Sequence, residues 1–172
     1  MDEWKTLTRF MYGDAASDRG FWYSHTLREI QGLNEEQLLW VPHPKGLCIL
    51  WQAGHIACRE RLHIGVFLLG LPESILLPEF NVFGSEWVSV DEMRSWMGSV
   101  KNVLDYVRAV REESCRFIES QSEADLLKVA ATAEGGYSIA QWLWITSCHT
   151  ALHIGRIQLL RAMLEGKPER AC

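Results

Sequence analysis

Ser138-Ile-Ala-Gln-Trp-Leu-Trp-Ile-Thr-Ser-Cys-His149-Thr-Ala-Leu-His153-Ile-Gly-Arg-Ile-Gln-Leu-Leu-Arg-Ala-Met-Leu-Glu165-Gly-Lys-Pro168 reads as one long helix closed at both ends by its own residues. Ser138 and Gln141 form the Ser-x-x-Gln pattern of a capping box, in which the two side chains satisfy backbone N–H groups that the first turn leaves open. Gly166 and Pro168 end the helix, one by its conformational freedom and the other by its missing N–H. From Gly135 to Gly155 the chain carries no formal charge, over about the length that crosses a bilayer. Gln141, Ser147, His149 and His153 inside that stretch make a buried helix of a soluble bundle the better reading.

Working outward, three further segments carry apolar residues at helical spacing, with no strand-like alternation between them. A first helix is expected from about Asp14 to Gln31, with Phe21, Trp22, Leu27 and Ile30 turned inward. A second follows Pro42-His43-Pro44-Lys45-Gly46 and runs from about Cys48 to Leu69, where Gly70-Leu71-Pro72 stops it. A third opens at the Ser89-Val-Asp-Glu92 capping box and continues through Met93, Trp96, Val100, Val103, Val107 and Val110. Roughly 18 residues separate the second and third helices, far more than a turn between antiparallel neighbours needs. That stretch reaches roughly 60 Å when extended and helix two spans about 33 Å, so the chain can cross back to its starting end. The expected architecture is an all-α, up-down-down-up four-helix bundle forming a single domain over residues 1–172.

Composition removes several function classes. At 172 residues, 48% hydrophobic and 23% charged, the chain holds one sizeable core and shows no sign of disorder. The 17 Lys and Arg are scattered and the net charge is −5, so nucleic acid is not expected as a partner. Five cysteines, odd in number and without a Cys-x-x-Cys pair, point to a reducing compartment rather than a disulfide framework. Met1-Asp-Glu-Trp-Lys lacks the basic and apolar regions of a secretory signal, and a cytoplasmic location is the expectation.

His149 and His153, four residues apart, share one helix face about one turn apart and can chelate a single ion. Chance gives roughly 0.2 such pairs in a chain with this many histidines, so the spacing alone is a moderate signal. The face also carries Trp142, Ile145, Thr146 and Leu160, which turns the imidazoles inward, where an unsatisfied polar group costs about 1–3 kcal/mol. Hydrogen bonds from Thr146, backbone and water answer that cost as well as a metal does, and the two readings weigh equally for the pair alone. His55, on the Trp51, Leu62 and Val66 face of helix two, adds a third inward imidazole and tips the balance to metal. Three histidines with an open fourth position describe a catalytic rather than a structural site. Imidazole suits Zn, Ni, Cu or Fe, and one divalent ion, Zn or Ni, is expected.

Other combinations fail on their surroundings. Glu60-Arg-Leu-His63 has the spacing of di-iron bundles, which need a second such motif and facing glutamates that the last helix lacks. Glu60 and His63 are expected at the surface or just outside the site, and His25 and His43 in solvated or hydrogen-bonded positions. Cys58 and Cys148 read as packing, and Trp22, Trp51, Trp96 and Trp142 as core.

With these residues in place the chain resembles the DinB/YfiT-like superfamily of four-helix bundles with a metal-binding histidine triad. Gln52-Ala-Gly-His55-Ile-Ala-Cys-Arg-Glu60 resembles its helix-two ligand region, and His149-Thr-Ala-Leu-His153-Ile-Gly155-Arg-Ile157 its helix-four signature. Cys48 stands where relatives carry a serine cap, and cysteine caps poorly, so the start of helix two is left open. The resemblance implies His55, His149 and His153 as ligands and a homodimer as the assembly. It also implies S-transfer from a low-molecular-weight thiol such as bacillithiol or mycothiol, thiol-dependent isomerisation, or hydrolysis.

The leading expectation is a thiol-dependent S-transferase acting on a small-molecule substrate, since a coordinated thiol loses its proton. The alternatives are a hydrolase using water activated by the same ion, and a non-catalytic metal-binding or small-molecule-binding bundle in stress response. Hydrolysis needs a proton acceptor, and Glu60 points about 140° away from His55. Arg59 and Arg156 lie near the ligand faces, where a cosubstrate carboxylate is one role and solvent-facing salt bridges the blander one.

Overall fold

The computed structural model describes residues 3–12, 21–76, 78–84, 87–130 and 134–167. Among them the chain is mostly α-helical: α1 (Glu3–Tyr12), α2 (Phe21–Ile30), α3 (Glu35–Leu39), α4 (Ile49–Arg61), α5 (Val90–Met97), α6 (Val100–Ser120), α7 (Glu123–Leu126) and α8 (Ile139–Leu164). α8 is the helix foreseen from Ser138 onward, and both halves of its capping box are present. α4 lies centrally, packed on α6 and α8, while α2 packs on α8. Trp51, Met93, Val103, Ile154 and Ile157 meet in the main core, and Tyr12, Ile64, Phe117 and Leu143 in a second.

Cys48 does cap α4: its Sγ accepts from the Trp51 N–H at 3.4 Å, and its extended backbone (φ −82°, ψ 168°) turns the chain into the helix. The helix then widens into a π-helical turn over Leu62–Leu68 and stops at Gly70, with φ +64°, a conformation that glycine adopts without strain. The expected third helix is two. Gly98, at φ +70°, breaks it, and Ser99 recaps α6 by accepting from Asn102 N–H at 3.2 Å. Trp96, expected in the core, is 53% exposed on the short α5.

α1 was not foreseen. Its Trp4 and Lys5 N–H groups are capped by the carboxylate of Glu123, at 3.0 and 2.9 Å. A cap supplied from α7 leaves no local pattern to read. The expected helix start near Asp14, the inward places of Phe21 and Trp22 and the solvated or hydrogen-bonded place of His25 lie outside the described residues and side chains; Leu27 and Ile30 do pack against the main core.

The crossover after α4 is more than a spacer. It forms 3-10 turns over Glu73–Ile75 and Pro78–Gly84 and buries Phe83 completely. Phe83 lies on Gly54, where an added Cβ would stand only 2.6 Å from the ring. Glycine at this position lets the crossover reach the α4 backbone. Three successive carbonyls then accept from side chains one turn apart on α4: Val82 O from Trp51 Nε1 at 3.3 Å, Phe83 O from His55 Nδ1 at 2.5 Å, and Gly84 O from Arg59 Nη2 at 3.3 Å.

Candidate metal centre

α4 and α8 run antiparallel where they meet, since Gln52 and His55 face His153 and His149 while His63 faces Thr146. His55, His149 and His153 come together there, their ligand atoms all within 4.8 Å of one another. His149 Nε2 lies 3.2 Å from His55 Nε2 and 3.1 Å from His153 Nε2. A tetrahedral ion with Zn–N bonds of about 2.0–2.1 Å holds its nitrogens about 3.3 Å apart, so the residues fit such an ion.

The protonation pattern points the same way. The carbonyl of Phe83 is an acceptor, so His55 carries its proton on Nδ1 and turns a bare Nε2 toward the cluster. His153 donates Nδ1–H to Gln52 Oε1 at 2.6 Å and likewise turns a bare Nε2 inward. Two lone pairs thus face the third nitrogen, which can offer one proton at most. Backbone and amide partners of this kind orient metal-binding imidazoles and fix their tautomer. Burial pushes the pKa of His55 down to about 4 and that of His153 to about 3, and lowers that of His149, so all three are neutral and able to ligate at physiological pH. Trp51 stacks on His55 with ring centroids 4.5 Å apart, shielding one side.

The triad opens into a cavity of about 400 Å³ that is also lined by Trp51, Leu152, His63, Arg59 and Arg156. His63 rides on the π-helical turn with its ring against Phe67, Trp142 and the edge of His149. Thr146 donates its hydroxyl proton to Trp142 O at 3.0 Å, so its oxygen accepts from His63 Nδ1 at 2.9 Å, and His63 keeps Nε2 as a bare nitrogen. Burial, then His149, pushes the His63 pKa down to about 4.

A model of the DinB superfamily matches residues 23–157. The chain belongs to the DinB superfamily. A search of curated proteins found no match to it.

For this DinB superfamily chain the three sequence-derived ligand candidates meet as expected, but their neighbours differ in part. Glu60, expected near the surface, is buried and paired through both oxygens with Arg111 Nη1 at 3.2 Å. Cys58 packs in the core as expected, whereas Cys148 is exposed. His43 is exposed and accepts from Lys45 N–H. The partners Gln52 and Phe83 were missed, and Thr146, weighed as a partner of the His149–His153 pair, meets His63 instead. Gln52 and Thr146 each sit on a helix face with a histidine, a signal that could have found them; Phe83 acts through its backbone and leaves none.

Proposed function

We propose that the chain is a metal-dependent enzyme in which His55, His149 and His153 hold one divalent ion, Zn or Ni, for thiol-dependent S-transfer. The observation that carries this reading is the convergence of three neutral imidazole nitrogens beside a cavity walled by Trp51 and Leu152. When bound, the ion lowers the pKa of a thiol that reaches its open side. The cavity walls limit water, and His63 Nε2 accepts the S–H proton. The sulfur pair then forms the bond to an electrophilic carbon, whose leaving group departs with its own pair and recovers the proton from His63. Hydrolysis through a carboxylate base is disfavoured, because Glu60 is committed to Arg111 and no carboxylate lines the cavity among the described residues.

The proposal extends to a single up-down-down-up bundle domain in the cytoplasm, acting as a homodimer. No described helix is long and apolar enough to cross a membrane. Ile145, Leu152, Leu159 and Met163 stay exposed along one side of α8, at successive spacings of seven, seven and four residues that suit a helix contact.

The test is to add a small thiol to Co-substituted protein while measuring thiol-dependent loss of a model electrophile. A sulfur-to-metal charge-transfer band is expected, together with turnover that falls at least a hundredfold in His63→Gln at unchanged metal content. Thiol-independent hydrolysis with no spectral change would replace this reading with the hydrolase.

A further inference from the structure

The charge lining the cavity is one-sided. Arg59 and Arg156 are its charged side chains, and no Asp or Glu joins them among the described residues. Neither guanidinium takes part in an ion pair there, whereas Arg61, Arg108, Arg111, Arg116 and Arg161 each meet a carboxylate. The salt bridges expected for Arg59 and Arg156 are therefore not seen among the described residues. Arg59 is half-buried and donates to the Gly84 carbonyl, which orients the guanidinium without neutralising it. Both cations line the same cavity as the three histidines. A bound divalent ion adds to this excess in a site partly shielded from water.

Position sets the shape of an anion that would suit both cations. Because α4 and α8 are antiparallel, Arg59 flanks the triad on the side of His63, while Arg156 flanks it on the side of Leu47 and Trp51. The two arginine positions thus fall on opposite sides of the histidines along the helix pair. Arginine forks bind carboxylates through two parallel N–H bonds, so each can hold one end of a ligand whose middle lies over the triad.

We propose that the cavity takes a small molecule with a carboxylate at each end, gripped by Arg59 on one side of the three histidines and by Arg156 on the other. This names the substrate class for the reading above and rests on it for what happens at the centre of the ligand. The grip itself needs only the two arginines.

Adipate, hexanoate and 1,6-hexanediol are suitable probes, titrated calorimetrically into the full chain both metal-loaded and metal-free, with metal content measured on the same samples. Adipate is expected to bind, hexanoate to bind more weakly and the diol not at all. Arg59→Gln and Arg156→Gln should each weaken adipate roughly ten- to a hundredfold at unchanged metal content, with Lys at either position restoring part of the loss. Added salt should weaken adipate in the wild type more than in the double Gln variant. Adipate binding by a chain that takes up no metal supports the anion site and removes the metal reading. Metal-loaded protein that ignores adipate, or adipate affinity unchanged in the double Gln variant, overturns the inference while leaving the metal centre intact.

Discussion

Two polar clusters lie five residues apart on α4 and handle burial in opposite ways. Around Glu60 every charge is answered: Arg111 spans both carboxylate oxygens, its Nη2 donates to Tyr12 O at 2.6 Å, and Tyr12 Oη donates to Leu143 O at 3.0 Å. Burial raises the Tyr12 pKa and keeps it a neutral donor. Around His55 the outer nitrogens of His55 and His153 are satisfied while their inner ones turn lone pairs toward His149. His149 Nδ1 is buried with no hydrogen-bond partner among the described residues. The first cluster neutralises its charges without a ligand and belongs to the fold. The second is complete only when something electropositive arrives, and that incompleteness marks it as a site.

The largest expected effect tests the closed cluster. Glu60→Ala strands Arg111 in the core and should cost about 3–5 kcal/mol in urea unfolding, while folded protein still binds metal. A loss under about 1 kcal/mol would show that the pair is not what ties α1 and α6 to α4.

Gly54→Ala probes the contact that supports the open cluster. Phe83 must shift to admit the methyl, which should cost about 1–3 kcal/mol and weaken metal binding, because the carbonyl holding His55 moves with it. Unchanged metal affinity at reduced stability would separate the crossover from the site.

Acid distinguishes the clusters through histidine. The folded pKa values of about 4 for His55 and about 3 for His153 lie below the unfolded value of about 6.5, so the unfolded chain binds more protons between them. The stability these groups contribute in metal-free protein is complete above pH 6.5 and falls as pH drops toward 4 and 3. Metal should be retained at pH 6 and lost nearer pH 4, as dialysis followed by elemental analysis would show. Retention far below pH 3 would mean ligands other than imidazole.

The smallest effect on stability belongs to His149→Ala. Since its Nδ1 makes no hydrogen bond, its removal should change metal-free stability by less than about 1 kcal/mol while abolishing stoichiometric metal. A large loss of stability would make His149 a structural residue like Glu60.

Sequence reading reached those features whose causes are local. Ser138 caps α8 within three residues, and the ligand pair lies on one face of the same helix, so both could be read directly. α1 escaped because its cap comes from Glu123, far along the chain. The break at Gly98 was legible in the Gly98-Ser99 pair but was overridden by an apolar stripe that continues across it. Glu60 was misplaced because helical spacing gives a direction around an axis and cannot show that Arg111 waits on the adjoining helix.

The three crossover carbonyls that receive Trp51, His55 and Arg59 belong to the backbone, so substituting Val82 or Gly84 does not delete them. The loop's grip on a histidine and an arginine therefore depends on its backbone path, and that path depends on the fit between Phe83 and Gly54. An engineer wishing to retune the centre could graft a different crossover, provided it brings an aromatic ring to that glycine and an unbroken run of acceptors behind it.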